Sequence, residues 1–95
     1  RKLNRKIGDN LKLSYGYRCQ ICGDLTGKEY DAQVVEAHYI NYFSTCHNND
    51  ANNLLILCPN HHRIIHNVDP VFNRKKLLYL YSNGHMENLT LNKHL

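Results

Sequence analysis

The stretch Cys58-Pro59-Asn60-His61-His62-Arg63-Ile64-Ile65-His66 puts one thiol and three imidazoles into nine residues, directly behind the apolar run Leu54-Leu55-Ile56-Leu57. Ligand side chains at this density constrain a short chain more than its hydrophobic pattern does, because metal bonds fix both spacing and orientation. Pro59 suits the first turn of a helix, where its missing N–H is not needed, so Cys58 is expected at the helix mouth and the histidines on the helix. Successive helical residues point about 100° apart, whereas i and i+4 share a face. His62 and His66 therefore look one way and His61 another. One short helix is expected to serve two metal sites, with Cys58 and His61 closing a structural zinc site and His62 and His66 holding a catalytic ion.

The missing zinc ligands lie upstream. Cys19-Gln20-Ile21-Cys22-Gly23 reads as a zinc knuckle, two thiolates separated by two residues with Gly23 supplying permissive backbone. Taken alone, a Cys-x-x-Cys pair is equally a redox motif. Joined to Cys58-x-x-His61 it predicts a tetrahedral Cys3His site. Ninety-five residues make at most one small domain, 1–95, which benefits from such a staple. The cysteine spacing, with Cys46 standing alone, fits zinc in a reducing compartment better than a secreted disulfide scaffold. No apolar run approaches a membrane span and no signal peptide is present, so no membrane partner is expected. The chain opens Arg1-Lys2-Leu3 without an initiator Met and is expected to be a piece of a longer protein.

The net charge of +4 and a pI near 9.0 favour a polyanionic partner. Six of the twelve basic residues (Arg1, Lys2, Arg5, Lys6, Lys12, Arg18) fall in the first eighteen positions against one acid, Asp9. That cluster is either a solvated helix face or a phosphate-tracking surface.

Along the chain, Leu3, Ile7 and Leu11 recur every four residues and predict a helix to about residue 15, with Gly8 against it. Residues 24–32 read as a loop. Gln33 to Ile40 is rich in β-branched and aromatic residues and predicts a strand, with Val34, Glu36 and His38 on one face and Val35, Ala37 and Tyr39 on the other. The Asn-rich residues 41–53 form a long loop, and Leu54–Leu57 is the return strand leading into the helix. Asn67 and Pro70 end that helix. Lys76–Tyr81, the turn Ser82-Asn83-Gly84 and Leu89–Leu91 predict a C-terminal β-hairpin without chemistry, and His85 and His94 read as surface residues.

Glu36-Ala37-His38-Tyr39-Ile40, then Asn53-Leu54, then Cys58-Pro59-Asn60-His61-His62 with His66, on a chain that begins with Cys19-x-x-Cys22, resembles the HNH endonuclease family. The resemblance runs from about Tyr17 to His66. Asn48-Asn49-Asp50 and Asn92-Lys93-His94-Leu95 resemble a bacterial restriction-type subgroup, for which the bacterial cytoplasm is the expected compartment. The implied fold class is α+β, a small ββα-metal domain with a structural zinc site, an N-terminal helix and a C-terminal β-hairpin. The resemblance gives His38, His62 and His66 to the catalytic divalent ion and Asn53 to bracing of the long loop. It gives Cys19, Cys22, Cys58 and His61 to structural Zn²⁺.

One position departs from the family pattern. The residue after the first metal ligand is usually a His that takes a proton from the attacking water, and here it is Tyr39. Three readings stay open. Tyr39 acts as base or water orienter, its phenol lowered by a cation and Arg63; or His47 swings in; or activity is impaired.

The implied function is metal-dependent hydrolysis of DNA phosphodiester bonds, as the cleavage domain of a restriction or anti-phage defence protein. Arg63 is the candidate phosphate-binding residue. The catalytic ion is Mg²⁺, Mn²⁺, Ni²⁺ or Zn²⁺, imidazole ligands suiting the last three as readily as the first. Cutting both strands usually needs two such sites, so a homodimer of the full protein is expected. The rival readings are a zinc-stapled DNA- or RNA-binding module without catalysis, and a structural zinc-stapled interaction domain.

Overall fold

Four consecutive apolar residues, Leu54 to Leu57, leave no face for solvent, and a strand built from them must be covered on both sides. A computed structural model of the chain describes residues 5–41 and 50–95. In it β2 (Leu54–Leu57) is buried along its whole length. It pairs antiparallel with β1 (Glu36–Tyr39), in a register that sets His38 opposite Leu55 and Tyr39 opposite Leu54. Leu55 and Leu57 pack with Cys19, Ile21, Cys58, Ile65, Tyr79 and Tyr81 on one face of this sheet. Leu54 and Ile56 pack with Leu11, Tyr15 and Val35 on the other.

The first face is covered by α2 (Pro59–Val68). Cys58 is its N-cap, Pro59 stands in its first turn, and it stops at Asp69, whose left-handed backbone donates its N–H to the Ile65 carbonyl, before Pro70. The second face is covered by α1 (Arg5–Ser14). Gly8 does not interrupt α1, because its missing side chain is what lets the helix approach the sheet. A Cβ there would stand 3.2 Å from the Ala37 Cβ. The element order β1, β2, α2 is the ββα-metal arrangement, and the α+β expectation holds.

The C-terminal hairpin is present with an extra strand. β3 (Val71–Asn73), β4 (Leu78–Leu80) and β5 (Met86–Asn88) form an antiparallel sheet in that order. The partner of β4 is therefore Met86–Asn88 and not Leu89–Leu91. Two residues of the latter segment are drawn to the knuckle, where the Thr90 and Leu91 N–H groups both donate to the Gln20 carbonyl. Gln20 is wholly buried and ties three segments together. Its N–H donates to the Ile56 carbonyl, its side-chain oxygen accepts from the Ile56 N–H at 2.8 Å, and its amide nitrogen donates to Tyr15 Oη and to the Leu91 carbonyl.

His94 is not the surface residue its position suggested. Its Nε2 donates to the Leu54 carbonyl at 2.9 Å and its Nδ1 accepts from the Tyr15 hydroxyl at 2.6 Å. His85 is exposed, as expected. Cys46, His47 and the basic Arg1 and Lys2 lie outside the described residues. No helix among the described residues is long and apolar enough to cross a membrane.

Candidate metal centres

Two ligand clusters meet on α2. In the first, one donor atom from each of Cys19, Cys22, Cys58 and His61 lies within 4.8 Å of all the others. The Cys19–Gly23 turn presents the first two thiols. It is closed by the Gly23 N–H on the Cys19 carbonyl, with Gly23 left-handed at φ 73°. Cys58 is at once the helix cap and a member of this cluster, its sulfur accepting from the His61 N–H. His61 Nδ1 stands 3.3 Å from Cys58 Sγ and 3.8 Å from Cys19 Sγ. These values bracket the edge of about 3.6 Å that a tetrahedron with ordinary Zn–S and Zn–N bonds requires. The donor set fits zinc.

Protonation in this cluster follows burial. Burial pushes the Cys19 thiol up to about 12. For Cys58 burial acts in the same direction but is outweighed by hydrogen bonds from the His61 backbone and ring and from Cys19, so its net shift is downward. A thiol held this high loses its proton to a bound cation rather than to water.

In the second cluster, one ring nitrogen from each of His38, His62 and His66 falls within 4.8 Å of the other two. The two Nε2 atoms of His62 and His66 face each other at 3.0 Å, the spacing of adjacent ligands on one ion at bond lengths of about 2.1 Å. The three rings meet edge-on, with centroids 4.5 to 5.4 Å apart. His38 is 2% exposed. Burial, then the neighbouring His62 and His66, depress it to about 4, against an opposing pull from Asp69. It is consequently neutral at pH 7, the state a metal ligand must have. The donor set and its geometry fit a second, divalent ion.

A carboxylate stands behind one histidine of each cluster. Glu36 Oε2 lies 2.8 Å from His62 Nδ1, leaving Nε2 for the cluster. Glu87 Oε2 lies 3.2 Å from His61 Nε2, leaving Nδ1 for the thiols, and Glu87 Oε1 accepts from the Tyr81 hydroxyl at 2.5 Å. Such outer partners fix the tautomer and raise the basicity of the ligand. The sequence reading missed both. Strand alternation did put Glu36 on the face of His38, which was the available signal. Glu87 had none, since it sits in a hairpin to which no chemistry was assigned.

Asn53 is wholly buried. Its side-chain oxygen accepts from the Asn41 N–H and its amide donates to the Asn41 carbonyl, both at 2.9 Å, so it clamps the two ends of the long loop. Arg74, also unanticipated, supports the clamp by donating to the Asn52 carbonyl and to Asn53 Oδ1. Tyr39 is half-buried on the α1 face, opposite to His38. Burial raises its phenol above the ordinary value. Arg63 is exposed on the α2 side, lining a different concavity from the one Tyr39 lines, so its charge is not placed to bring that phenol down.

A strand pair and helix that gather three imidazoles beside a Cys3His cluster define a metal-binding ββα domain. A family model described as HNH endonuclease matches residues 19–73, more than half of the chain. The chain belongs to the HNH endonuclease family. No curated protein and no solved structure gives a significant match.

Proposed function

We propose that this domain hydrolyses DNA phosphodiester bonds with a divalent ion held by His38, His62 and His66, while zinc on Cys19, Cys22, Cys58 and His61 holds the fold. The observation that carries this reading is the convergence of the three imidazoles, with Glu36 fixing which nitrogen His62 presents. A divalent ion in that position supplies Lewis-acid stabilisation of charge on a phosphate. The protein's own groups do the rest. His38, kept neutral by burial, offers a lone pair without first losing a proton. Asn53 holds the ends of the loop that follows β1. Arg63, exposed on the rim, is available to grip a phosphate.

Tyr39 takes the place of the family's histidine base. With its phenol raised by burial, it acts as a neutral hydroxyl that orients the attacking water and does not remove its proton. The same observation favours the second reading, a zinc-stapled DNA-binding module with impaired catalysis. Membership of a restriction or anti-phage defence protein, acting as a dimer, is the finer proposal, supported by the subgroup resemblance of Asn48-Asn49-Asp50 and Asn92–Leu95.

Purified protein incubated with supercoiled plasmid and Mg²⁺, Mn²⁺, Ni²⁺ or Zn²⁺, beside His62→Ala and Tyr39→His, tests these readings. Nicking by wild type that His62→Ala abolishes supports the nuclease. Nicking by Tyr39→His alone leaves the impaired module, and cleavage by His62→Ala at the wild-type rate refutes the ligand assignment.

A further inference from the structure

β1 is the open edge of a two-stranded sheet among the described residues, and α1 and α2 stand on opposite faces of that sheet. Between α1 and this edge lies a concavity of about 570 Å³, lined by Arg5, Asp9 and Lys12 of α1 and by Glu36, Tyr39 and His62. It adjoins a second concavity on the α2 side, which shares Glu36 and His62 and adds Arg63 and His66. His62 thus lines both hollows, and each has a basic rim. Arg5 and Lys12 are seven residues apart, two helical turns or about 10 Å, and share one face of α1. Gly8 between them carries no side chain, so both cations flank the point where the helix comes nearest to Ala37. Two acids share the groove. Glu36 is engaged by His62 at 2.8 Å, and Asp9 lies between the two cations on the same helix.

A solvated basic face needs no relation to the active site. Here two cations of α1 line the same hollow as Tyr39 and His62. We infer that the α1 groove seats the phosphate backbone of the DNA strand next to the scissile bond, with Arg5 and Lys12 as its phosphate contacts. This rests on the nuclease reading above and adds a substrate track on the side away from Arg63. The contacts position the strand and carry no base specificity.

The test uses the zinc-loaded full chain, a fluorescent DNA duplex and anisotropy titrations from low to moderate salt without added divalent ion. Each phosphate contact removed lowers the slope of log affinity against log salt by about 0.9. Arg5→Gln and Lys12→Gln singly should each lower the slope by about 1, and the double variant by about 2. Lys75→Gln with Lys76→Gln, exposed on the β3–β4 turn, should leave it unchanged, as should the charge-conserving Arg5→Lys with Lys12→Arg. In plasmid nicking, the double glutamine variant should raise KM with kcat within about twofold, at unchanged zinc content. A wild-type slope in the double variant, or an equal loss in the Lys75/Lys76 control, overturns the inference and leaves the nuclease reading standing. If wild type neither nicks DNA nor binds it in a salt-dependent way, both readings fall.

Discussion

His61 and His62 are neighbours in the chain and belong to different donor clusters. His61 gives Nδ1 to a cluster whose Cys19 and Cys58 are buried, and rests its Nε2 on Glu87. His62 does the reverse, giving Nε2 to its cluster and resting Nδ1 on Glu36. The first site has four donors from a turn and a helix cap, enough to close a tetrahedron. The second has three donors from a strand and a helix, and its His62 lines two grooves. Four donors that complete a tetrahedron suit a fold-holding ion, and three donors that leave a position open suit one that must meet substrate. The difference lies in closure more than in ligand chemistry.

The largest expected effect comes from breaking the closed site. Cys58→Ser removes a ligand and weakens the cap of α2, and the protein should lose zinc and most of its cooperative melting, as read by metal analysis and circular dichroism. A zinc-free variant that melts like wild type would contradict the division of roles. His62→Ala should keep zinc and fold but lower nicking roughly 100- to 1000-fold. Next come the carboxylates. Glu36→Gln should weaken divalent-ion binding roughly 10- to 100-fold at constant zinc content, while Glu87→Gln should loosen zinc by a similar factor at unchanged nicking per zinc-loaded molecule. Calorimetry with Mn²⁺ and competition with a zinc chelator separate the two, and crossed effects would mean that the sites are not independent.

The smallest effect is one of shape. Because burial raises the Tyr39 phenol, it stays protonated throughout the neutral range, and the wild-type rate should keep climbing with pH past 9. Tyr39→His should instead level off above about pH 7, where an imidazole is already deprotonated. A plateau near pH 7 in wild type would show that some other group takes the proton.

The local features were the legible ones. Spacing within Cys58–His66 separates the two ligand sets without any knowledge of the fold, and the unbroken apolar run gives β2 its bounds. What could not be read depends on partners distant in sequence. The strands β3 and β5 are three residues each, too short for a periodic pattern. Leu89–Leu91 has strand composition, yet the backbone of Thr90 and Leu91 is claimed by Gln20, 70 and 71 residues away. His94 looks like any polar residue until Tyr15 and Leu54 arrive beside it. Gly8 counted against a helix by propensity, and close approach to Ala37 outweighed that.

Because Cys58 belongs to the Cys3His cluster and is also the cap of α2, the first turn of that helix starts at the same sulfur that a zinc ion there would bind. His62 takes its bearing from that turn. A zinc ion in that cluster would therefore set the helix start, and with it the aim of His62 and His66, before a divalent ion could be seated between them. Order-of-addition experiments should register this as a lag whenever the divalent ion is offered to zinc-free protein.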